Sequence, residues 1–210
     1  RLGDIGVTSV GCDVLFIEPT PDDAALAASV QRSGNVYLPV AVDTPGLNGS
    51  LATISPPPAN IAAGAAGLGH VILTPDQDGT VRASPLWVSA DGRVLPHLAL
   101  LASASKTPAT EVNKGASGDG LIVTDSRMIR FPSGIEPYPT VSAVDVLRGE
   151  VSAEFLKDKR VLVGATAQGM GDRYATPNSP RGYLSPGVYI VGALMQSVLD
   201  DWNIRPLNRW

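Results

Sequence analysis

Residues 7 to 42, VTSVGCDVLFIEPTPDDAALAASVQRSGNVYLPVAV, decide the fold. Val7 to Ile17 is dense in apolar and β-branched residues and reads as a buried strand. Thr20-Pro21-Asp22-Asp23 reads as a helix start. Thr20 can cap it, Pro21 suits the first turn, and two acids there complement the helix dipole. Ala24 to Arg32 continues the helix and Gly34 ends it. Val36 to Val42 is the next strand. Strand, helix, strand without a hairpin turn is the pattern of an α/β fold with parallel strands.

The rest of the chain extends that pattern. Leu2 to Ile5 reads as a helix end stopped by Gly6. Asp43 to Gly69 reads as loop or lid, with Pro56-Pro57-Pro58 and a short Ala-rich helix from Ala59 to Ala66. Val71 to Thr74 and Thr80 to Val88 read as a hairpin through Pro75 to Gly79, and a second turn follows at Asp91-Gly92. Pro96 to Ala104 reads as a helix, Lys106 to Gly120 as a loop, and Leu121 to Val123 with Met128 to Phe131 as a small hairpin. Ser142 caps a helix ending at Arg148-Gly149, and Ser152 to Lys157 allows a helical turn. Arg160 to Ala165 is a fully buried type of strand. Ser185-Pro186 opens a last helix, Gly187 to Asp200, apolar around most of its circumference and so packed on more than one side. The expected fold is α/β, one domain over residues 1–210, with a mixed, largely parallel central sheet flanked by helices and carrying a β-hairpin insertion.

Composition narrows the function. Apolar residues make up 44% and charged residues 17%, a globular balance. A net charge of −4 with no basic stripe argues against nucleic acid as a partner. The single cysteine, Cys12, rules out an internal disulfide framework and a Cys-based zinc site. His70 and His97 are too few for a His-rich metal site. His97 reads as a capping or surface residue and His70 as a neutral edge residue. No run of about 18 apolar residues occurs. An Arg at the first position and a Trp at the last read as cuts through a longer chain.

Three places can carry chemistry. Residues 71–81, VILTPDQDGTV, end an apolar stretch in Asp-x-Asp-Gly-Thr. That resembles the nucleophile motif of haloacid-dehalogenase-type phosphatases, in which Asp76 would attack phosphorus, Asp78 would be acid and base, and magnesium would sit between them. Pro75 breaks the strand before Asp76, and no acidic pair downstream completes the metal set. A tight turn, with Asp and Gly chosen for their backbone angles, explains the same residues. Second, Val161 to Arg173 is a buried strand emptying into a Gly-rich loop, without the Gly-Lys-Ser/Thr ending of a nucleotide loop. Open α/β sheets place ligands at such a carboxyl edge. A packing turn explains it equally. Third, Asp13 lies inside an apolar strand with Glu18 just past its end. A buried acid needs a partner or a polar cavity.

Several segments, in order, resemble one family, the CHASE domain of the second type. They are residues 11–19, GCDVLFIEP; 22–27, DDAALA; 76–86, DQDGTVRASPL; 144–149, VDVLRG; 159–166, KRVLVGAT; 171–177, GDRYATP; and 186–188, PGV. The Pro-rich stretch near Pro57 and the loop near Gly115 look like insertions, and His97 stands where a small polar residue is more usual. The resemblance implies an extracytoplasmic sensor of a bacterial membrane receptor. A membrane helix upstream, and usually several downstream, would anchor it. On the inner side it would carry a histidine kinase, nucleotide or diguanylate cyclase, or protein kinase. It implies no cofactor and no metal. The expected partner is a small-molecule or protein signal, with a homodimer as a further arrangement and a scaffold for dimer contacts as a separate reading. The expected pocket is Asp13, Glu18, Arg82, Thr166, Asp172, Arg173 and Tyr174, with internal pairing of Arg82 and Arg173 to the acids as the alternative.

Overall fold

The computed structural model describes residues 1–43, 52–104, 121–134, 137–167, 169, 172–180 and 182–204. The loop expected at Lys106 to Gly120, Gly171, and part of the stretch after Asp43 lie outside the described residues. The chain runs α1 (Leu2–Ile5), β1 (Ser9–Asp13), α2 (Asp23–Ser33), β2 (Val36–Asp43), β3 (Thr53–Ser55), α3 (Ala59–Gly64) and β4 (Gly67–His70). It continues β5 (Ala83–Ala90), β6 (Arg93–Pro96), α4 (Leu98–Ser103), β7 (Ile122–Met128), α5 (Ala143–Arg148) and α6 (Ala153–Leu156). It closes with β8 (Arg160–Gly164), β9 (Arg173–Tyr174), β10 (Ser185–Pro186) and α7 (Gly187–Leu199).

The central sheet is mixed and largely parallel. β1 lies between β2 and β8 and is parallel to both; β2 is parallel to β4 and antiparallel to β3. β5 with β6 and β7 forms a separate antiparallel sheet; its hairpin turns at Asp91-Gly92, not through the expected Pro75 to Gly79. Gly34 and Gly149 end their helices with positive φ, 68° and 81°, as only an unhindered residue does easily. Ser142 and Ser152 accept the backbone N–H of Val144 and Phe155, closing α5 and α6.

Some local expectations are corrected. The first strand stops at Asp13; Val14, Leu15 and Ile17 are exposed, so the apolar run outlasts the pairing. Thr20 does not cap α2. Its hydroxyl donates to the Asp23 carboxylate at 2.7 Å, and Asp22 holds the cap position. Residues 71–74 are not a strand. β4 lies earlier and places His70 in the core at 0% exposure, not at an edge. Met128 to Phe131 does not pair back on residues 121–123, because β7 is one continuous strand. Pro96 ends β6, and His97, buried, caps α4 by accepting the N–H of Ala99 at 3.0 Å.

α7 is the spine that positions the site. Its Ile190, Val191 and Leu194 pack with Val81, Leu86, Ala99 and Ile129. β1 is tied to α4 by Ser9 Oγ, which donates to the Ala102 carbonyl at 2.7 Å. Gly69 lets β4 meet α4: a Cβ there would lie 2.7 Å from the Pro96 carbonyl oxygen and 3.0 Å from the Leu98 nitrogen. Backbone atoms cannot swing aside, so Gly69→Ala is expected to cost about 1–3 kcal/mol in urea unfolding. A cost under half that range would mean the two elements can separate.

Candidate functional site

The parallel register sets Asp13, last in β1, beside Gly164, last in β8, at the carboxyl edge of the sheet. From β8 the chain loops to β9, which pairs with β10 and so delivers Asp172 to the start of α7. The Asp172 carbonyl accepts the N–H of Gly187 at 2.9 Å. A Cβ on Gly187 would sit 1.9 Å from Asp172 Oδ2, so the carboxylate rests on the first residue of the helix, where the dipole favours negative charge. Gly164 allows a second close approach, with a notional Cβ 2.6 Å from Val188 Cβ. The end of β8 and the first turn of α7 therefore touch without slack.

The electrostatics are those of two acids brought together. Burial, and then the Asp172 charge, push the Asp13 carboxyl up to about 6. The Tyr174 phenol is also pushed up, first by burial and then by Asp172 and Asp13. Three of the seven expected residues, Asp13, Asp172 and Tyr174, thus share one electrostatic neighbourhood.

The other four stand differently. Arg173 does not neutralise the acids. Its guanidinium donates to the Leu184 carbonyl at 3.1 Å and the Thr166 carbonyl at 3.3 Å, and lies 5.9 Å over the Tyr183 ring. Arg173 therefore ties the backbone at Thr166 to that at Leu184. Glu18 is exposed, and among the described residues no hydrogen bond or ion pair joins it to the group. Arg82 belongs to another cluster. It reaches Asp76 Oδ2 and Asp78 Oδ2, each at 2.7 Å, although the neighbouring Val81 N–H pairs with the Ala175 carbonyl beside β9.

That cluster accounts for the Asp-x-Asp-Gly-Thr motif. Asp76 accepts the N–H of Gly79 and donates its own to Thr80, and Gly79 has φ 78°, so residues 76–80 form a tight turn. Asp78 also accepts the Thr80 N–H at 3.0 Å, and Arg82 holds its carboxyl well below the usual range. Both carboxylates are spent on Arg82, and Asp76 lies six residues past the end of β4. With magnesium and an aryl phosphate, the chain is expected to show no turnover above buffer. Turnover that Asp76→Asn abolished would restore the phosphatase reading.

Sequence reasoning missed one feature that the fold creates. His70 and His97 lie fully buried with ring centroids 4.8 Å apart and planes at 81°. Far apart in sequence and each unremarkable locally, they meet where β4 reaches the residue before α4.

A model of the CHASE2 domain matches the chain over residues 1–210. No curated protein and no solved structure matches it.

Proposed function

Because the chain belongs to the CHASE2 family, extracellular sensory domains of signalling receptors, we propose that it is the input module of a membrane-anchored receptor, reading a small-molecule signal at the Asp13–Asp172–Tyr174 group. The observation that carries this reading is the contact of that group with Gly187, the first residue of α7. A solute that neutralised or bridged the two acids would bind one placement of the α7 start better than another. Only such a difference in affinity can shift a conformational balance. The chemistry of the group suits a ligand with a cationic or hydroxyl-rich end. The receptor would carry a histidine kinase, cyclase or protein kinase on the inner side of the membrane. Among the described residues no helix is long and apolar enough to cross a membrane.

Thermal-shift screening against amines, amino acids and polyols tests the reading, since a ligand of the folded state raises Tm. A hit is expected whose stabilisation vanishes in Asp13→Asn and in Asp172→Asn. Binding that survives both substitutions would move the site elsewhere.

The same acids give a stability prediction. An Asp with its folded pKa raised is worse off ionised in the fold than in the unfolded chain. Its contribution is intact below the unfolded value and is lost as pH rises through about 6. Asp13→Asn is therefore expected to stabilise the fold at pH above about 7, by an amount on the order of 1–3 kcal/mol. Urea unfolding that shows a loss instead would mean Asp13 has a cationic partner in solution.

A further inference from the structure

We propose that the cavity of about 240 Å³ between the C-terminal end of α7 and the β5–β7 sheet is a second ligand site, for a small aromatic ammonium compound. Its floor is apolar, with Leu86 and Leu194, and the indoles of Trp87 and Trp202 stand among its walls. Asp125, Arg127, Asp201 and Asn203 supply the polar side. An apolar cavity with a few convergent polar groups is the general form of a small-ligand site. The volume lies just under the roughly 300–1,000 Å³ of sites for drug-sized molecules, which fits a ligand of about ten non-hydrogen atoms.

The charge of the lining selects the ligand. Among the described residues of the lining, two carboxylates face one guanidinium, and that guanidinium is engaged. Arg127 donates to both oxygens of Asp125, at 3.2 and 3.1 Å, and to the Asn203 side chain. The excess is therefore negative. Indole faces attract cations, and Trp202 already receives one, the Arg130 guanidinium 5.6 Å from its ring centre. An anion would meet surplus negative charge.

The backbone marks the same place. Asp125 and Asp201 both have a φ of 52°, a left-handed conformation uncommon for residues other than glycine. Such conformations gather at ligand clamps, where surrounding structure holds them. The cavity also borders the segment just past α7, which the Met128 N–H ties to β7 by donating to the Ile204 carbonyl at 2.9 Å. A ligand here would act on that segment, at the opposite end of α7 from Asp172.

Tryptophan emission of the whole chain, titrated with 2-phenylethylammonium chloride, tests the site. The chain has three tryptophans, and two line the cavity. A saturable change is expected, with phenylacetate binding at least roughly tenfold more weakly. Asp201→Asn is the decisive variant, because Asn tolerates the left-handed backbone and can still accept from Asn203. It is expected to weaken the ammonium roughly tenfold at unchanged Tm, while Asp13→Asn binds as the parent does. No saturable change, equal binding of phenylacetate, or unaltered affinity in Asp201→Asn would overturn the proposal. Affinity lost in Asp13→Asn but kept in Asp201→Asn would seat the ligand at the Asp13–Asp172 group instead, sinking this inference and supporting that site.

Discussion

Acidification from pH 6 toward 4.5 is expected to destabilise the domain steeply, and the cause is the buried His70–His97 pair. Each ring accepts a backbone N–H on Nδ1, from Ile72 at 3.2 Å and from Ala99 at 3.0 Å. Each neutral ring therefore carries its proton on Nε2, and both Nε2 atoms are buried with no partner within normal hydrogen-bond reach among the described residues. A second proton would have to sit on Nδ1, facing an N–H donor. Burial pushes His97 down to about 3, and burial followed by the neighbouring His97 holds His70 well below its usual value. The unfolded chain protonates both near 6.5. Stability from neutral histidines is complete above that value and is lost as pH falls toward the folded values.

Two extra protons on the unfolded chain correspond to about 2.7 kcal/mol per pH unit. Asp13 opposes this with one proton, since between about 6 and 3.8 the folded state is the one that binds it. The three groups together give a fall of about 1.4 kcal/mol per pH unit in the window from 6 to 4.5. The variants separate the contributions. Asp13→Asn is expected to steepen the fall to about 2.7 kcal/mol per unit. His97→Asn keeps a side chain able to cap α4 and is expected to flatten the fall to near zero, at lower stability throughout. Urea midpoints across the pH range decide it. An unchanged slope in His97→Asn would show that the pair does not govern the acid response.

What was legible in the sequence, and what was not, divides along local and non-local causes. Gly6, Gly34, Gly149, Ser142 and Ser152 act on their own neighbours, and each stands where its local chemistry places it. β4, with the sequence Gly-Leu-Gly-His, reads as a loop because glycine has little strand preference. Its Gly69 is there because the start of α4 presses on it, a contact invisible along the chain. The run from Val14 to Ile17 shows the converse, since apolar character extended the first strand into residues that the fold leaves exposed. At the site, Asp13 stood out as an acid in an apolar strand, and Asp172 as the end of a Gly-rich loop. Arg82 joined them only on paper. Its partners lie four and six residues away, and a short-range pair forms ahead of a distant one. The cavity had no sequence signal, because its walls come from β5, α4, β7, α7 and the segment just after α7.

Leu194→Ala is expected to cost the domain about 3–5 kcal/mol, the upper part of the range for emptying a filled core site. Leu194 is 0% exposed and packs in the cluster that joins α7 to β5, α4 and Ile129. Leu199, one turn on and 41% exposed, should change stability by no more than about 0.5 kcal/mol as alanine. Urea unfolding of the two variants at one pH makes the comparison, and a Leu194→Ala cost under about 1 kcal/mol would deny α7 its place as spine. The difference bears on how a signal can leave the domain. Coupling between sites typically supplies about 1–3 kcal/mol, less than the loss of this one side chain's packing. A ligand at either end of α7 therefore cannot peel the helix off its neighbours. It can shift the helix together with β5 and α4, or change the hold on residues 200–204. That segment is held by hydrogen bonds from Met128 and Arg127 and by the Arg130 contact with Trp202, not by a buried apolar cluster. Residues 200–204 are thus the part adjoining α7 that energies of this size can move.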